Sequence, residues 1–333
     1  MSDSNSSPPP GPSNWDADDL ADRMDDVMQG LEAFRLEVLA KRGKGWGMLG
    51  IAFLCSVLAG VLLGAIEPPL FFVGVVGFVI AGVIIHYKFF GSLAATYRSR
   101  YKHEVIAGMV KAVSPGMDYQ PAGGLAEETF NASGLYSGPD RYHSEDLFAG
   151  RIGETEIMFS EVHAEERRTR RDSKGRSETY YVTIFNGILL VADFHKHFRS
   201  ELAVLPDVAE KNFGWFGRKL QSLGGNLQRM ENPDFEKAFV VRGKDAVEAR
   251  YILTPDMQER LLALRARLND GVRFAFKQSN VFIGFSNERN WFEGDLKRPA
   301  HDRVQMRAIL GQMACCFNIV QDLNLNTRIW TKD

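Results

Sequence analysis

The chain has 333 residues, 45% of them hydrophobic and 25% charged, with a net charge of −2 at pH 7. That length allows more than one domain, and the near-neutral charge excludes a protein drawn to nucleic acid by its bulk charge. Cys55, Cys315 and Cys316 fit neither a disulfide framework nor a metal-ligand spacing, which predicts reduced thiols and no metal centre.

In chain order, residues 1–14 (MSDSNSSPPPGPSN) lack the apolar content to fold and read as a disordered tail. An amphipathic helix is predicted over 15–46. Its apolar positions Leu20, Met24, Val27, Leu31, Phe34 and Val38 step alternately by four and three, the seam of a coiled coil. Asp16, Asp18, Asp19 and Asp22 at its start, with Lys41 and Arg42 at its end, complement the helix dipole.

Residues 47–90 predict a transmembrane helical hairpin, with spans over 47–66 and 70–90. The first span is uncharged for about 20 residues, the length that crosses a hydrocarbon core of roughly 30 Å. A cleaved signal peptide would place its apolar stretch within about the first 30 residues, whereas here the segment follows a polar, proline-rich lead. Lys41, Arg42 and Lys44 precede the spans and Lys88, Arg98, Arg100 and Lys102 follow them, while the intervening turn carries Glu67 alone. The positive-inside rule then puts both termini in the cytoplasm and Glu67-Pro68-Pro69 outside. Small residues recur at Ala52, Ser56, Gly60 and Gly64, and at Gly74, Gly77, Ala81 and Gly82. These stripes are expected to pack against each other within the hairpin, packing between protomers being the rival use. No ionisable side chain lies at mid-membrane depth, so an ion path has no support.

A helical extension is predicted over 91–114, from Leu93, Tyr97, Tyr101, Val105 and Met109, stopping at Pro115-Gly116. With the 15–46 helix it would form an antiparallel stalk. Residues 115–333 read as a soluble α+β domain with an antiparallel sheet. Residues 146–163 suggest two strands around Gly153-Glu154, and 179–194 a β-branched, aromatic segment with a turn or bulge at Asn186-Gly187. Alternating Val272, Phe274, Phe276 and Val281, Ile283, Phe285 predict a hairpin around Ser279-Asn280. Thr254-Pro255 opens a helix that ends near Asn269, and a last helix is expected over 301–323.

The strings NASGLYSGPDRYHSEDLFAGRIGETEIMFSEVHAE at 131–165, FNGILLVADFHKHFRSELAVLP at 185–206, MENPDFEKAFVVRGKDAVEARYILTPDMQERLLAL at 230–264 and GVRFAFKQSNVFIGF at 271–285 resemble the bacterial domain-of-unknown-function family 3137. The resemblance implies a membrane hairpin ahead of a conserved soluble domain, and no established activity. Genes of that family lie near those of LemA-type membrane proteins, so it also implies such a protein as a partner.

Within these strings Glu145, Asp146 and Glu161 are the prominent acids; paired carboxylates can share acid–base work, or can simply cap turns and edges. His195 and His197 would share a face of an extended segment, and Glu161 and His163 could complete a metal set, although solvated residues after a strand are the simpler reading. The run RRTRRDSKGR, with Arg167, Arg168, Arg170, Arg171, Lys174 and Arg176, reads as a long hairpin loop. As a solvated tip it does nothing further; as a functional element it would attract anionic lipid or an acidic partner. Nucleic acid is not expected, because no aromatic residue interleaves the run.

The leading expectation is a membrane-anchored cytoplasmic interaction or scaffold module in a bacterial inner membrane, needing no cofactor, with the bilayer and a protein as partners and self-association open. The alternative is a membrane-associated, hydrolase-like enzyme whose active site is dispersed along the chain.

Overall fold

The computed structural model describes residues 17–67, 71–171, 175–194, 198–207, 226–287 and 290–325. The predicted tail 1–14 and Pro68-Pro69 lie outside these residues. The chain forms two compact units, one from 16–109 with 292–307 and the other chiefly from 110–291 and 308–333.

The first unit is helical. After α1 (Ala17–Arg23), α2 runs unbroken over Asp25–Gly64, 40 residues or about 60 Å. The return path comprises α3 (Phe71–His86), a π-turn at Tyr87–Gly91, α4 (Ser92–Tyr101), a second π-turn at Lys102–Ile106 and α5 (Ala107–Val113). Contacts of Gly74 with Gly60, Gly82 with Leu49, Arg100 with Phe34 and Gly108 with Met24 fall in reverse order along α2, so the two paths are antiparallel. Two helices, Asp25–Gly64 and Phe71–Val113, are long and apolar enough to cross a membrane. Their apolar side chains point away from each other as well as inward: Leu54 is 68% exposed and Phe72 67%.

The polar half of α2 departs from the coiled-coil expectation. The buried positions along α1 and this half of α2 include Leu20, Met24, Met28, Leu31, Arg35 and Val38, a mean spacing of 3.6 residues. Val27 is 38% exposed, and Phe34 is partly covered by the Arg100 guanidinium at 4.6 Å. A straight helix takes its core positions at the α period, and a heptad repeat would drift off that face. Residues 292–307 strap this region. Glu32 accepts from the Ala300 N–H at 2.7 Å and from Arg35, whose guanidinium also donates to the Leu296 carbonyl at 3.1 Å. The Arg35 hydrogen bond holds the Glu32 carboxyl below its usual range. Arg303 and Arg307 both reach Asp18 at 2.9 Å, and buried Lys102 pairs with Glu293 at 3.4 Å.

The second unit is an α+β domain built on one antiparallel sheet of nine strands among the described residues, ordered β1-β2-β3-β4-β9-β8-β5-β7-β6. The strands are β1 (Met117–Gln120), β2 (Arg141–Ile152), β3 (Thr155–Arg171), β4 (Ser177–Asp193), β5 (Leu202–Pro206), β6 (Asn226–Gln228), β7 (Phe239–Gly243), β8 (Arg273–Lys277) and β9 (Asn280–Ser286). Between them lie α6 (Glu127–Ser133), α7 (Pro233–Ala238), α8 (Ala246–Ile252) and α9 (Pro255–Leu268); α10 (Arg303–Phe317) and α11 (Ile319–Asp322) follow. One core gathers Phe130, Leu135, Val162, Phe185, Leu189 and Phe282. Another stacks Phe148 on Phe159 at 4.5 Å, with Phe317 edge-on to both.

Local chemistry explains most boundaries. Thr254 caps α9 by accepting from the Met257 N–H at 3.3 Å, and Pro255 takes the first helical position. The β8–β9 turn is Gln278-Ser279, both at positive φ (49° and 64°), one residue earlier than expected and of the type that matches strand twist. Asn186-Gly187 is not a turn: β4 passes straight through it. Gly187 is needed because a Cβ there would collide with the Phe285 carbonyl of β9 and lie 2.7 Å from the Ser286 Cα. The run RRTRR is likewise not a loop. Arg167–Arg171 pair residue by residue with Tyr181–Ser177, because the β-favouring segment TYYV supplies a partner strand.

Candidate functional site

The β2–β3 register sets Glu145 directly opposite Glu161. Immediately afterwards the pairing jumps to Phe148↔Phe159, so β2 carries one extra residue, a bulge. Asp146 sits in it at φ 58°, a conformation that aspartate tolerates better than most side chains. The bulge is held from the neighbouring segment: the Asp146 N–H donates to the Pro121 carbonyl at 3.2 Å and the Leu147 N–H to Gly123 at 3.1 Å. The result turns the Asp146 carboxylate into the protein, where it is fully buried.

Oxygens of Glu145, Asp146 and Glu161 lie within 4.8 Å of one another. Such like charges repel unless donors or a cation compensate. Tyr119 of β1 donates its hydroxyl to Asp146 Oδ1 at 2.5 Å, and the Trp291 N–H donates to Glu161 Oε1 at 2.5 Å. Burial, with the Asp146 charge adding to it, pushes the Tyr119 phenol far above its usual range, so it is a permanent donor. Burial also pushes the Cys316 thiol well up, with the charges of Cys315 and Glu161 contributing, and burial raises Cys315. Burial thus favours the neutral thiol at both positions. Chemically, three hard oxygen donors in a partly buried notch could hold a divalent cation or share a proton. The notch is separate from a cleft of about 260 Å³ lined by Glu156, Met158, Val191, Asp193 and the 278–280 turn.

The structure therefore brings together the three acids singled out in the sequence. It adds Tyr119 and the backbone of Trp291, which no local pattern marks, since they come from 27 and 130 residues away. His163 stands apart, its ring 3.3 Å from Thr183 Oγ1 and 4.0 Å from Glu165. It faces His143 across the ladder, both exposed. His195, His197 and Lys174 lie outside the described residues.

The small-residue stripes meet at one tight point. A Cβ on Gly74 would fall 2.5 Å from the Ser56 carbonyl and 2.9 Å from the Gly60 Cα; Gly60 and Gly64 both lie against Phe71. Ala52 and Ala81 are half-buried, but Gly77 has nothing within 4 Å of its Cβ position and points outward. Its place on the contact face is taken by Phe78, which meets Phe53 edge-on at 5.5 Å. Gly77 is out of phase by three residues from Gly74, where four would keep it on the face.

Residues 183–325 match the model of a family described as a protein of unknown function, DUF3137. Three of the four strings that carried the resemblance lie inside that stretch; the string at 131–165, with the three acids, precedes it. No curated protein and no solved structure matches the chain.

Proposed function

We propose that this chain is a membrane-anchored interaction module, in which α2 and α3 span a bilayer and hold the sheet domain at its surface. The observation that carries the reading is the outward exposure of Leu54, Leu62, Phe72, Val76, Ile80 and Val83 along both helices. Water does not tolerate a helical pair apolar on every side, whereas lipid does. Under the positive-inside rule the flanking arginines and lysines support a reading with both termini and the sheet domain in the cytoplasm of a bacterium, under its inner membrane. A protein partner, with a LemA-type membrane protein first among candidates from the family resemblance, binds the sheet domain. Alkaline extraction of membranes tests the anchor: the chain stays with the lipid, and its release would refute the reading. Purification from mild detergent tests the module, and recovery of the bait alone, reproducibly, would refute that part.

The acid notch favours a second reading, a hydrolase-like enzyme at the membrane. In that case Glu161→Gln and Asp146→Asn would abolish turnover of its substrate while leaving the fold's thermal transition in place.

A further inference from the structure

Beyond the last β2 pair, Arg141↔Glu165, and the first β9 pair, Gly187↔Ser286, β3 and β4 continue alone to Arg171↔Ser177. This arm is exposed throughout most of its length. Strand alternation sorts its side chains into two different faces. On one, Arg168 pairs with Glu166 at 3.7 Å and Arg170 with Glu178 at 3.2 Å, so the charges there are matched. The other presents Arg167, Thr169 and Arg171 opposite Tyr181 and Thr179. Arg141 lies flat on the Tyr181 ring at 3.4 Å on that side. The Arg167 N–H donates to the Asp140 carboxylate at 2.7 Å, but among the described residues no carboxylate lies within ion-pair distance of the Arg167 or Arg171 guanidinium.

A ribbon with arginine forks and hydroxyls on one side, and an amphipathic ring at its base, fits an array of phosphates. We propose that this face of the arm rests on the headgroups of anionic phospholipids, a second and electrostatic attachment of the sheet domain. The inference builds on the anchor reading above, since a domain already tethered to a bilayer needs only a weak second contact. Each basic side chain near an anionic surface raises occupancy roughly fivefold, and salt weakens it.

The test uses the full chain in vesicles of phosphatidylcholine alone or with phosphatidylglycerol, read by amide hydrogen exchange over 166–182. Flotation with both vesicle types reports the anchor independently of the arm. With phosphatidylglycerol, exchange in the arm slows roughly tenfold, the effect disappears in high salt, and Arg167→Gln/Arg171→Gln removes it. Arg168→Gln/Arg170→Gln, on the matched face, leaves it largely intact. Equal exchange in the two lipids while the chain floats with both would overturn the proposal. So would equal slowing by duplex DNA or polyglutamate added to phosphatidylcholine vesicles, which would assign the face to a macromolecular polyanion.

Discussion

The β3–β4 hairpin is a ladder of two contrasting halves, joined at a bulge where Ala164 pairs with Phe185 and Glu165 with Thr183. From Ile157 to Ala164 it is sandwiched between β2 and the β4–β9 pairing, and Phe159, Val162, Phe185, Ile188 and Leu189 are buried. From Arg167 to Arg171 the same ladder has no sheet neighbour, and nearly every side chain is in water. On either side of the bulge β3 and β4 pair residue by residue, so the pairing between these two strands does not set the halves apart. Burial does, because net stability comes from apolar area removed from water far more than from exchanging water for a peptide partner. A two-stranded ribbon alone is marginal, and the arm persists because its inner half is fixed.

The contrast can be broken most forcefully from inside. Phe159→Ala removes a ring stacked on Phe148 and edge-on to Phe317, and should cost the sheet domain about 3–5 kcal/mol of unfolding free energy, read from the shift in denaturant midpoint. Asp146→Ala strands the buried Tyr119 hydroxyl and should cost about 1–3 kcal/mol, with Tyr119→Phe restoring part of the loss in the double variant. The Tyr119 phenol also gives a pH signature. Its folded pKa is raised, so its contribution is complete below about pH 10, the unfolded value, and is lost as pH rises beyond it. Burial also raises Tyr97, Tyr101, Tyr136 and Tyr142, so absorbance titration should show several tyrosinates appearing late, and Tyr119→Phe should lower the part that appears on alkaline unfolding by one tyrosine. The smallest effect belongs to the outer half: Thr169→Ala or Arg171→Ala should change stability by less than about 0.5 kcal/mol. A larger loss at either position would mean that the arm is packed against something in the free protein.

Much of this was legible in the sequence, for identifiable reasons. Strand alternation placed the β8–β9 hairpin, and the Thr254-Pro255 cap placed α9, because both depend on neighbours in sequence. The Gly153-Glu154 turn alone would set Glu145 opposite Val162; the bulge, held by Pro121 and Gly123, shifts the register by one, brings Glu145 opposite Glu161 and turns Asp146 inward. Tyr119 and Trp291 reach the acids only through tertiary folding. The arm was misread because the basic run was taken as the interruption between two strand-like segments, when Thr179 to Val182 on the other strand give it a pairing partner. Val27 and Gly77 fell off their predicted faces because a pattern of threes and fours leaves phase ambiguous by one residue.

That ambiguity gives the two π-turns a purpose. On the return path Ile85 and Tyr97 are both buried, as are Tyr97 and Met109, each pair being twelve positions apart. In an unbroken α-helix twelve positions rotate a side chain about 120° off its starting direction. A π-turn lodges roughly one residue more than an α-turn without advancing the rotation, which takes back about 100°. One such turn lies inside each interval, at Tyr87–Gly91 and Lys102–Ile106. They act as phase correctors, keeping a single seam of the return helix against α2 from the Gly60–Gly74 contact to Met24. Excising one residue from either turn would leave a smooth helix whose two ends look in different directions.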